Sequence, residues 1–395
     1  MIILPLSGFP DFNIFSTPLL ILVFQGLIFV GLLVARYYKK RNISDLFLAL
    51  ILVLICYEQI CYTIGFMNWY DVFQNTKINY FLIPMGLAIG PLVYFYVKSI
   101  TTSNFKFKKK NVWHFLPIFL LIIFRLSIYI YDSIQPGFNE TQNGVLKLSL
   151  DEPIISPVHM YVSFAQMLLY LAFTFQLFYQ YRKRIQQYFS NTYKLELNWI
   201  LSFLIVFSAL FIYDSLQSLI GALIIDLNYM QRWWLNLFMA LVVLFVGIKG
   251  YFTDTTKLNK LSFVFSPNPE SIPQIKEDKN DVSKLDIEKV SNYLETQKPY
   301  LNPDLNLSDL AEMLEMNRAE LSKIINNGFH KNFNDFINEY RVLVFKEKLK
   351  NGAHKNLSLL GVAYDCGFNS KATFNRVFKK ITHTSPTQFL QSTLK

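Results

Sequence analysis

The chain has 395 residues, of which 52% are hydrophobic, 16% aromatic and only 17% charged, and its formal net charge is +10. A soluble protein of this size and charge carries fewer apolar residues, so part of the chain is expected to lie in lipid. The five histidines are scattered without metal-ligand spacing, and no glycine-rich phosphate loop, nucleophile elbow or zinc pattern occurs. We therefore expect neither an enzyme nor a cofactor.

Seven apolar stretches, each about as long as a bilayer span requires, follow one another from the start of the chain. They lie near residues 14–35, 46–67, 78–100, 112–131, 157–180, 198–222 and 231–252. So many stretches in succession, with polar breaks between them, favour a membrane bundle over buried soluble helices. The expected fold class is all-α, with a transmembrane domain of seven helices at residues 1–252 in contact with membrane lipid.

Basic residues cluster after the first, third and fifth predicted spans. These residues are Arg36, Lys39, Lys40 and Arg41, then Lys98, Lys106, Lys108, Lys109 and Lys110, then Arg182, Lys183, Arg184 and Lys194. Loops rich in lysine and arginine stay in the cytoplasm, so these three loops are predicted to be cytoplasmic. The amino terminus then lies on the outer side of the inner membrane. Because the number of predicted spans is odd, the chain that follows the seventh span lies in the cytoplasm.

Three charged residues fall inside predicted spans, where a charge is costly: Glu58, Arg125 and Asp214. One arrangement pairs Arg125 with Glu58 or Asp214 inside the bundle. Such a pair would be either a structural lock or a site for a polar signal, and the sequence leaves both readings open.

A polar stretch at residues 253–284, interrupted by Pro267, Pro269 and Pro273, is predicted to be a linker. Beyond it, residues 285–395 are predicted to form a helical cytoplasmic domain. Apolar residues on one face of residues 286–297 indicate the first helix of this domain.

One short helical pattern occurs twice between residues 307 and 391. The second helix of each copy has apolar residues at spacings of three and four, namely Leu321, Ile324 and Ile325, then Phe374, Val377 and Phe378. This spacing buries one face and leaves the opposite face exposed. The exposed residues are Arg318, Ala319, Ser322 and Lys323 in the first copy and Lys371, Ala372, Asn375 and Arg376 in the second. Such residues suit phosphates and base edges.

Helix starts and a connecting helix fit this arrangement. The predicted N-caps are Ser308, Asn317, Ser358 and Ser370. Residues 333–350 form an uninterrupted helical stretch, predicted to act as a rigid strut between the copies. Its expected inward-facing residues are Phe336, Ile337, Tyr340, Leu343 and Val344.

Two helix-turn-helix units joined by one helix resemble the DNA-binding domain of AraC-type (AraC/XylS) transcription regulators. The matching runs are residues 308–311, 321–323, 336–341, 367–370, 374–380 and 385–389. The resemblance implies that both second helices enter successive major-groove segments, and that the eight exposed residues named above contact bases or phosphates. His330 and His383 stand where glycine is usual in that family, and histidine tolerates a left-handed backbone better than most residues.

The expected function is that of a membrane-bound one-component regulator that binds double-stranded promoter DNA. RNA polymerase, a second copy of the chain, and a small-molecule or peptide signal for the membrane domain are candidate partners. From Lys348 onward Asp365 is the sole acid, so the second unit is expected to supply most of the phosphate affinity. The alternative is a membrane receptor or transporter whose cytoplasmic helices recruit a protein. A third reading makes the membrane part merely an anchor.

Overall fold

The computed structural model describes residues 8–73, 77–102, 105–192, 195–224, 229–253 and 282–393. In these residues the regular structure is helical, which confirms the predicted all-α class, and the sole β interaction is one isolated bridge. The chain divides into two compact units. The first unit contains residues up to 178 and from 198 to 253, and the second contains residues 179–197 and 282–393. Most of the predicted linker, at residues 254–281, lies outside the described residues.

Among the described residues before the predicted linker, seven apolar α-helices have 16 or more residues. They are α1 (Ser16–Lys40), α2 (Ile43–Phe66), α3 (Gly86–Thr101), α4 (Leu116–Ser133), α5 (Ser156–Tyr188), α6 (Asn198–Leu223) and α7 (Trp233–Phe252). Among the described residues, six helical stretches are long and apolar enough to cross a membrane, judged by length and composition. The exception, α3, has 16 residues because residues 82–85, which include Pro84, are not helical.

Close packing holds the helices of the first unit together, with α1 against α2 and α7, and α2 against α3. Gly26 lies where α1 meets two neighbours, since a Cβ there would be 2.5 Å from Cys56 Sγ and 2.8 Å from a methyl of Val243. At one end of these helices Arg36 Nη2 lies 2.6 Å from Asp45 Oδ1. The same nitrogen donates to the Gly250 carbonyl oxygen at 3.0 Å, which links α7 to this ion pair.

The described residues of the second unit contain seven further α-helices. They are α8 (Lys284–Gln297), α9 (Leu307–Met313), α10 (Arg318–Lys323), α11 (Phe333–Lys350), α12 (Leu359–Tyr364), α13 (Lys371–Thr382) and α14 (Pro386–Thr393). The predicted first helix and the predicted strut are therefore confirmed as α8 and α11. A wider π-helical turn, Ile324–Gly328, extends α10.

Three of the four predicted N-caps are confirmed, because Asn317, Ser358 and Ser370 each accept a hydrogen bond from a backbone N–H in the first turn of the following helix. The prediction for Ser308 was wrong. Asn306 caps α9 instead, with its side-chain oxygen accepting from the amides of Ser308 and Asp309 at 2.9 and 3.0 Å. The carboxylate of Asp309 accepts from the Asn306 amide in return, which completes a capping box.

Two apolar clusters form the core of the second unit, and α11 contributes to both. Phe336 and Ile337 belong to the cluster around α8, α9 and α10, whereas Val342 and Phe345 belong to the cluster around α12, α13 and α14. The helix therefore fixes the two clusters relative to each other, as the strut prediction required. Leu343 was wrongly expected to face inward, since 55% of it is exposed.

Candidate nucleic-acid interface

The α13 helix separates an apolar face from a polar one. Its buried residues are Thr373, Phe374, Val377 and Phe378, of which the three apolar ones pack into the second cluster. The four residues that the sequence predicted for DNA contact on this helix are all exposed: Lys371, Ala372, Asn375 and Arg376. Lys379 and Lys380 are also exposed. A helix of this kind presents cations and one amide to the outside, a set of groups that suits phosphates and base edges.

A tight turn before α13 sets the start of this helix. Gly367 has φ +89°, and a Cβ there would lie 2.3 Å from the Tyr300 carbonyl oxygen, so the position requires glycine. Beside it Cys366 is fully buried, and burial raises the pKa of its thiol to about 11. At the far end of α13, His383 has the left-handed backbone expected from its position, with φ 60°.

The α10 helix has the same organisation on a smaller scale. Leu321 is buried at its inner face, while Ala319 is exposed and the other predicted residues, Arg318, Ser322 and Lys323, are half-buried. The guanidinium carbon of Arg318 lies 5.5 Å from the ring centre of Tyr188, in a cation–π contact. This ring belongs to the end of α5, far from α10 in the sequence.

Charge differs between the two helices. Exposed carboxylates of Glu312, Glu315 and Glu320 lie on or next to α10, whereas α13 itself has no acidic residue. Lys380 forms an ion pair at 2.7 Å with Asp335, in the first turn of α11. The cationic surface is therefore concentrated at α13, in keeping with the expected charge reversal after Lys348.

A carboxylate that the sequence reasoning missed touches this surface. Glu196 Oε1 and Oε2 accept from Arg376 Nη2 and Nη1 at 2.8 and 3.0 Å, in a bidentate ion pair. Arg182 Nη2 lies 3.4 Å from the same carboxylate, and Thr192 Oγ1 donates to it at 2.7 Å. Only 2% of the Glu196 side chain is exposed. No local pattern marks this contact, because Glu196 and Arg376 are 180 positions apart in the chain.

Arg341 of α11 is the most unusual buried residue of the second unit, with 1% of its surface exposed. Its Nε donates to the Tyr300 carbonyl at 2.7 Å, and its Nη2 donates to the Asn302 carbonyl at 2.8 Å and to Ser190 Oγ at 3.1 Å. Burial lowers the pKa of the guanidinium to about 10, which leaves it charged at neutral pH. Neutral oxygens therefore solvate this cation inside the domain.

Arg125, one of the three charged residues predicted inside the spans, has a different partner from the one expected. Arg125 Nε lies 3.4 Å from Asp151 Oδ1, and the guanidinium donates to Leu82 O and Ser156 Oγ, each at 3.2 Å. The expected pairing of Arg125 with Glu58 or Asp214 was therefore wrong. A wide helical turn, Lys147–Ile155, brings Asp151 back to α4, and the sequence pattern did not predict this turn.

The two acidic residues lie elsewhere in the first unit. Glu58 Oε1 accepts a hydrogen bond from the Met85 amide at 3.1 Å, at the start of α3. Asp214 lines a mainly apolar cavity of about 610 Å³, beside α5 and α6, together with His159, Phe164 and Ser215. Within the described part of the chain, no group of three or more His, Cys, Asp or Glu side chains is placed to hold a metal ion.

Comparison with known proteins concerns the C-terminal helices. The family model described as a helix-turn-helix domain matches residues 310–392, which contain all eight residues predicted for DNA contact. An uncharacterized HTH-type transcriptional regulator of Staphylococcus aureus (strain COL) is 30% identical to the chain over 103 residues. These residues are 26% of this chain and 13% of that protein, so the chain matches only a small part of that relative.

A second relative is matched over most of its own length. The Proteus vulgaris protein named "Probable transcription factor PqrA" is 28% identical over 103 residues, which are 26% of this chain and 81% of that protein. No solved structure matches the chain significantly.

Proposed function

Because the C-terminal part of the chain is an AraC-type helix-turn-helix domain, we propose that the whole chain is a membrane-bound one-component transcription regulator. The α9–α10 and α12–α13 pairs are two helix-turn-helix units, and α11 sets their separation. Their second helices enter neighbouring major-groove segments of promoter DNA. The observation that carries this proposal is the exposed polar face of α13, opposite a buried face that contains Phe374, Val377 and Phe378.

The eight predicted residues have different proposed roles. Arg318, Lys323, Lys371 and Arg376 bind phosphates or guanine edges, and Asn375 is suited to an adenine edge. Ala319 and Ala372 offer methyl groups to thymine, and Ser322 can donate to a phosphate. The α13 helix supplies most of the affinity because its surface is cationic and the surroundings of α10 are acidic.

The apolar helices are proposed to span the inner membrane seven times, with α3 counted as the short third span. The amino terminus is then outside, and the helix-turn-helix domain is in the cytoplasm, as the basic loops require. A signal that binds in the Asp214 cavity would act by favouring one of two arrangements of these helices. The surrounding lipid, a small molecule or a peptide could supply this signal, and RNA polymerase and a second copy of the chain are further proposed partners.

Genome-wide DNA occupancy of the full-length protein tests the DNA-binding role. The test variant carries Lys371→Glu and Lys379→Glu, two exposed lysines of α13. The control carries Lys284→Glu and Lys289→Glu on α8, outside the residues that match the family model. We expect discrete promoter peaks for the wild type and the control, and loss of these peaks in the test variant. With purified protein, the slope of log affinity against log salt should fall by about two in the test variant.

The same experiment separates the alternative function. If the test variant keeps its genomic peaks, or no protein shows any, DNA binding by α13 is rejected. A protein partner recovered equally with the wild type and the test variant would then favour a receptor that recruits a protein.

A separate pair of variants tests sensing by the membrane helices. Asp214→Asn changes the cavity, whereas the control Asp71→Asn changes an exposed acid that does not line it. We expect Asp214→Asn to alter transcription of the genes at occupied promoters and Asp71→Asn to leave it unchanged. An unchanged transcript profile in both variants across growth conditions would instead favour an anchor without a sensing role.

A further inference from the structure

Residues 179–192 and 195–197, hereafter the docked segment, belong to the same compact unit as the helix-turn-helix domain. This segment consists of the end of α5 and the chain that leads to α6. Its closest approach to the domain is at Ser190, which is fully buried and whose amide and hydroxyl donate to the Leu305 carbonyl at 3.3 and 2.6 Å. Next to it, Phe189 forms an isolated antiparallel bridge with Asn306. The segment is thus joined to the domain through its backbone.

The helix-turn-helix domain provides a matching set of donors for this segment. Asn334, Asn338 and Arg341 occur at helical spacing on one face of α11, and all three are buried. Asn334 and Asn338 donate to the Ser190 carbonyl at 2.8 and 3.1 Å, and Arg341 donates to the Ser190 hydroxyl. Buried amide and guanidinium groups are costly without partners, so this face of α11 is built to hold the segment.

The docked segment also engages one arginine from each proposed recognition helix. Tyr188 lies under Arg318 of α10, and Glu196 holds both terminal nitrogens of Arg376 of α13. These contacts occupy the guanidinium groups that would otherwise be available to phosphates or guanine edges. The Glu196 carboxylate also neutralises the positive charge that Arg376 would otherwise present to a DNA backbone.

We propose that the docked segment is an intramolecular competitor of DNA, and that Glu196 must release Arg376 before α13 binds a phosphate or a base. This inference rests on the proposed DNA-binding function. A carboxylate and a phosphate use the same bidentate geometry on arginine, so they exclude each other at Arg376. The α5 helix runs unbroken from Ser156 among the membrane helices to Tyr188 in the segment, so a change in α5 acts on the competitor without an intermediary protein.

The opposite role for Glu196 predicts the opposite result. If Glu196 instead orients Arg376 for DNA, neutralising the carboxylate weakens DNA binding. The sign of the affinity change therefore decides between a competitor and a positioning residue.

The test uses the full-length protein in lipid nanodiscs and a fluorescent DNA duplex of about 40 base pairs at about 50 mM salt. The Glu196→Gln variant keeps the side-chain size and removes the charge. The matched control is Glu339→Gln, which neutralises an acid of α11 that pairs with Lys331. We expect Glu196→Gln to bind DNA about tenfold more tightly than the wild type, and Glu339→Gln to bind within about twofold of it.

Adding Lys371→Glu to each protein separates the two proposals. If Lys371→Glu weakens binding but Glu196→Gln has no effect or weakens it as well, the competitor is rejected and DNA binding by α13 stands. If no variant binds DNA, both proposals are rejected.

Hydrogen exchange gives a second measurement that does not need a variant. The Ser190 amide is protected by Leu305, and the amides of Leu195 and Glu196 both donate to the Thr192 carbonyl at 2.8 Å. DNA should accelerate exchange of these amides in the wild-type protein, because the segment must leave α13. Unchanged or slower exchange in the presence of bound DNA would overturn the inference.

Discussion

Replacing Gly367 by alanine tests whether the turn before α13 depends on its approach to Tyr300. A Cβ at this position would lie 2.3 Å from the Tyr300 carbonyl oxygen, and that oxygen accepts the 2.7 Å hydrogen bond from Arg341. A side chain in the left-handed region costs about 1–2 kcal/mol. Displacing the carbonyl also weakens a hydrogen bond from a charged donor, worth about 1.5–3 kcal/mol. We therefore expect Gly367→Ala to lower the free energy of opening by about 2.5–5 kcal/mol.

Gly352 offers a matched control for the backbone term. It has φ +83°, and the nearest atom to a Cβ there is Lys355 Cδ at 3.8 Å, which is an ordinary contact. Gly352→Ala thus carries the cost of the left-handed backbone without a clash, about 1–2 kcal/mol. The difference between the two variants isolates the contact with Tyr300.

The thiol of Cys366 reports the opening of this region, because the side chain is fully buried in the second cluster. Its labelling rate in the full-length protein is measured by mass spectrometry and corrected by the rate in denaturant. Since about 1.4 kcal/mol corresponds to a factor of ten, Gly367→Ala should accelerate labelling by about 60- to 4000-fold, and Gly352→Ala by about 5- to 30-fold. Equal acceleration in both variants would refute the claim that the Tyr300 contact matters.

Three further predictions concern the same domain. Arg341→Lys should lower the free energy of opening by about 2–4 kcal/mol, because an ammonium cannot reach all the oxygens that the guanidinium contacts. A Cys366 labelling rate in this variant equal to that of the wild type would contradict the prediction. Burial raises the pKa of Cys366 from 9.0 to about 11. As the pH rises, the thiol of the unfolded chain ionises first, so the free energy of unfolding should fall between pH 9 and 11. Denaturant unfolding of Cys366→Ala should lack that loss, and an identical pH profile would argue against it. Asn306→Ala should cost about 1 kcal/mol in the same unfolding assay through loss of the α9 cap, and no measurable change would show that the capping box is dispensable.

Apolar periodicity was sufficient to predict the helices of the second unit and the exposed face of α13. The spacing of Phe374, Val377 and Phe378 fixes which side of that helix is buried, and the remaining positions must be exposed. The same reasoning failed on α11, where Leu343 was expected inside and Arg341 occupies the interior. Periodicity assumes that polar residues face water. Arg341 violates that assumption because Ser190, Tyr300 and Asn302 supply oxygens that local sequence does not reveal.

The apolar helices of the first unit show the same limit for charged residues. Arg125 was matched with acids in other predicted spans, since a charge in lipid needs a partner at the same depth. Its partner, Asp151, comes from the polar break between the fourth and fifth predicted spans. The wide turn that returns Asp151 to α4 contains Pro153, and no periodic signal in the sequence marks it.

A polar stripe on a helix such as α11 has two readings that sequence alone does not separate. Asn334, Asn338 and Arg341 would normally be assigned to a solvent-facing side, yet their donors bind the docked segment. As a consequence, the hydrogen bonds of these buried side chains depend on the docked segment, which precedes α6 and α7 in the sequence. A fragment that begins after the predicted linker would lack Ser190, and it would expose these three buried donors to water. If Glu196 competes with DNA for Arg376 as proposed, such a fragment should bind DNA more tightly than the full-length protein does.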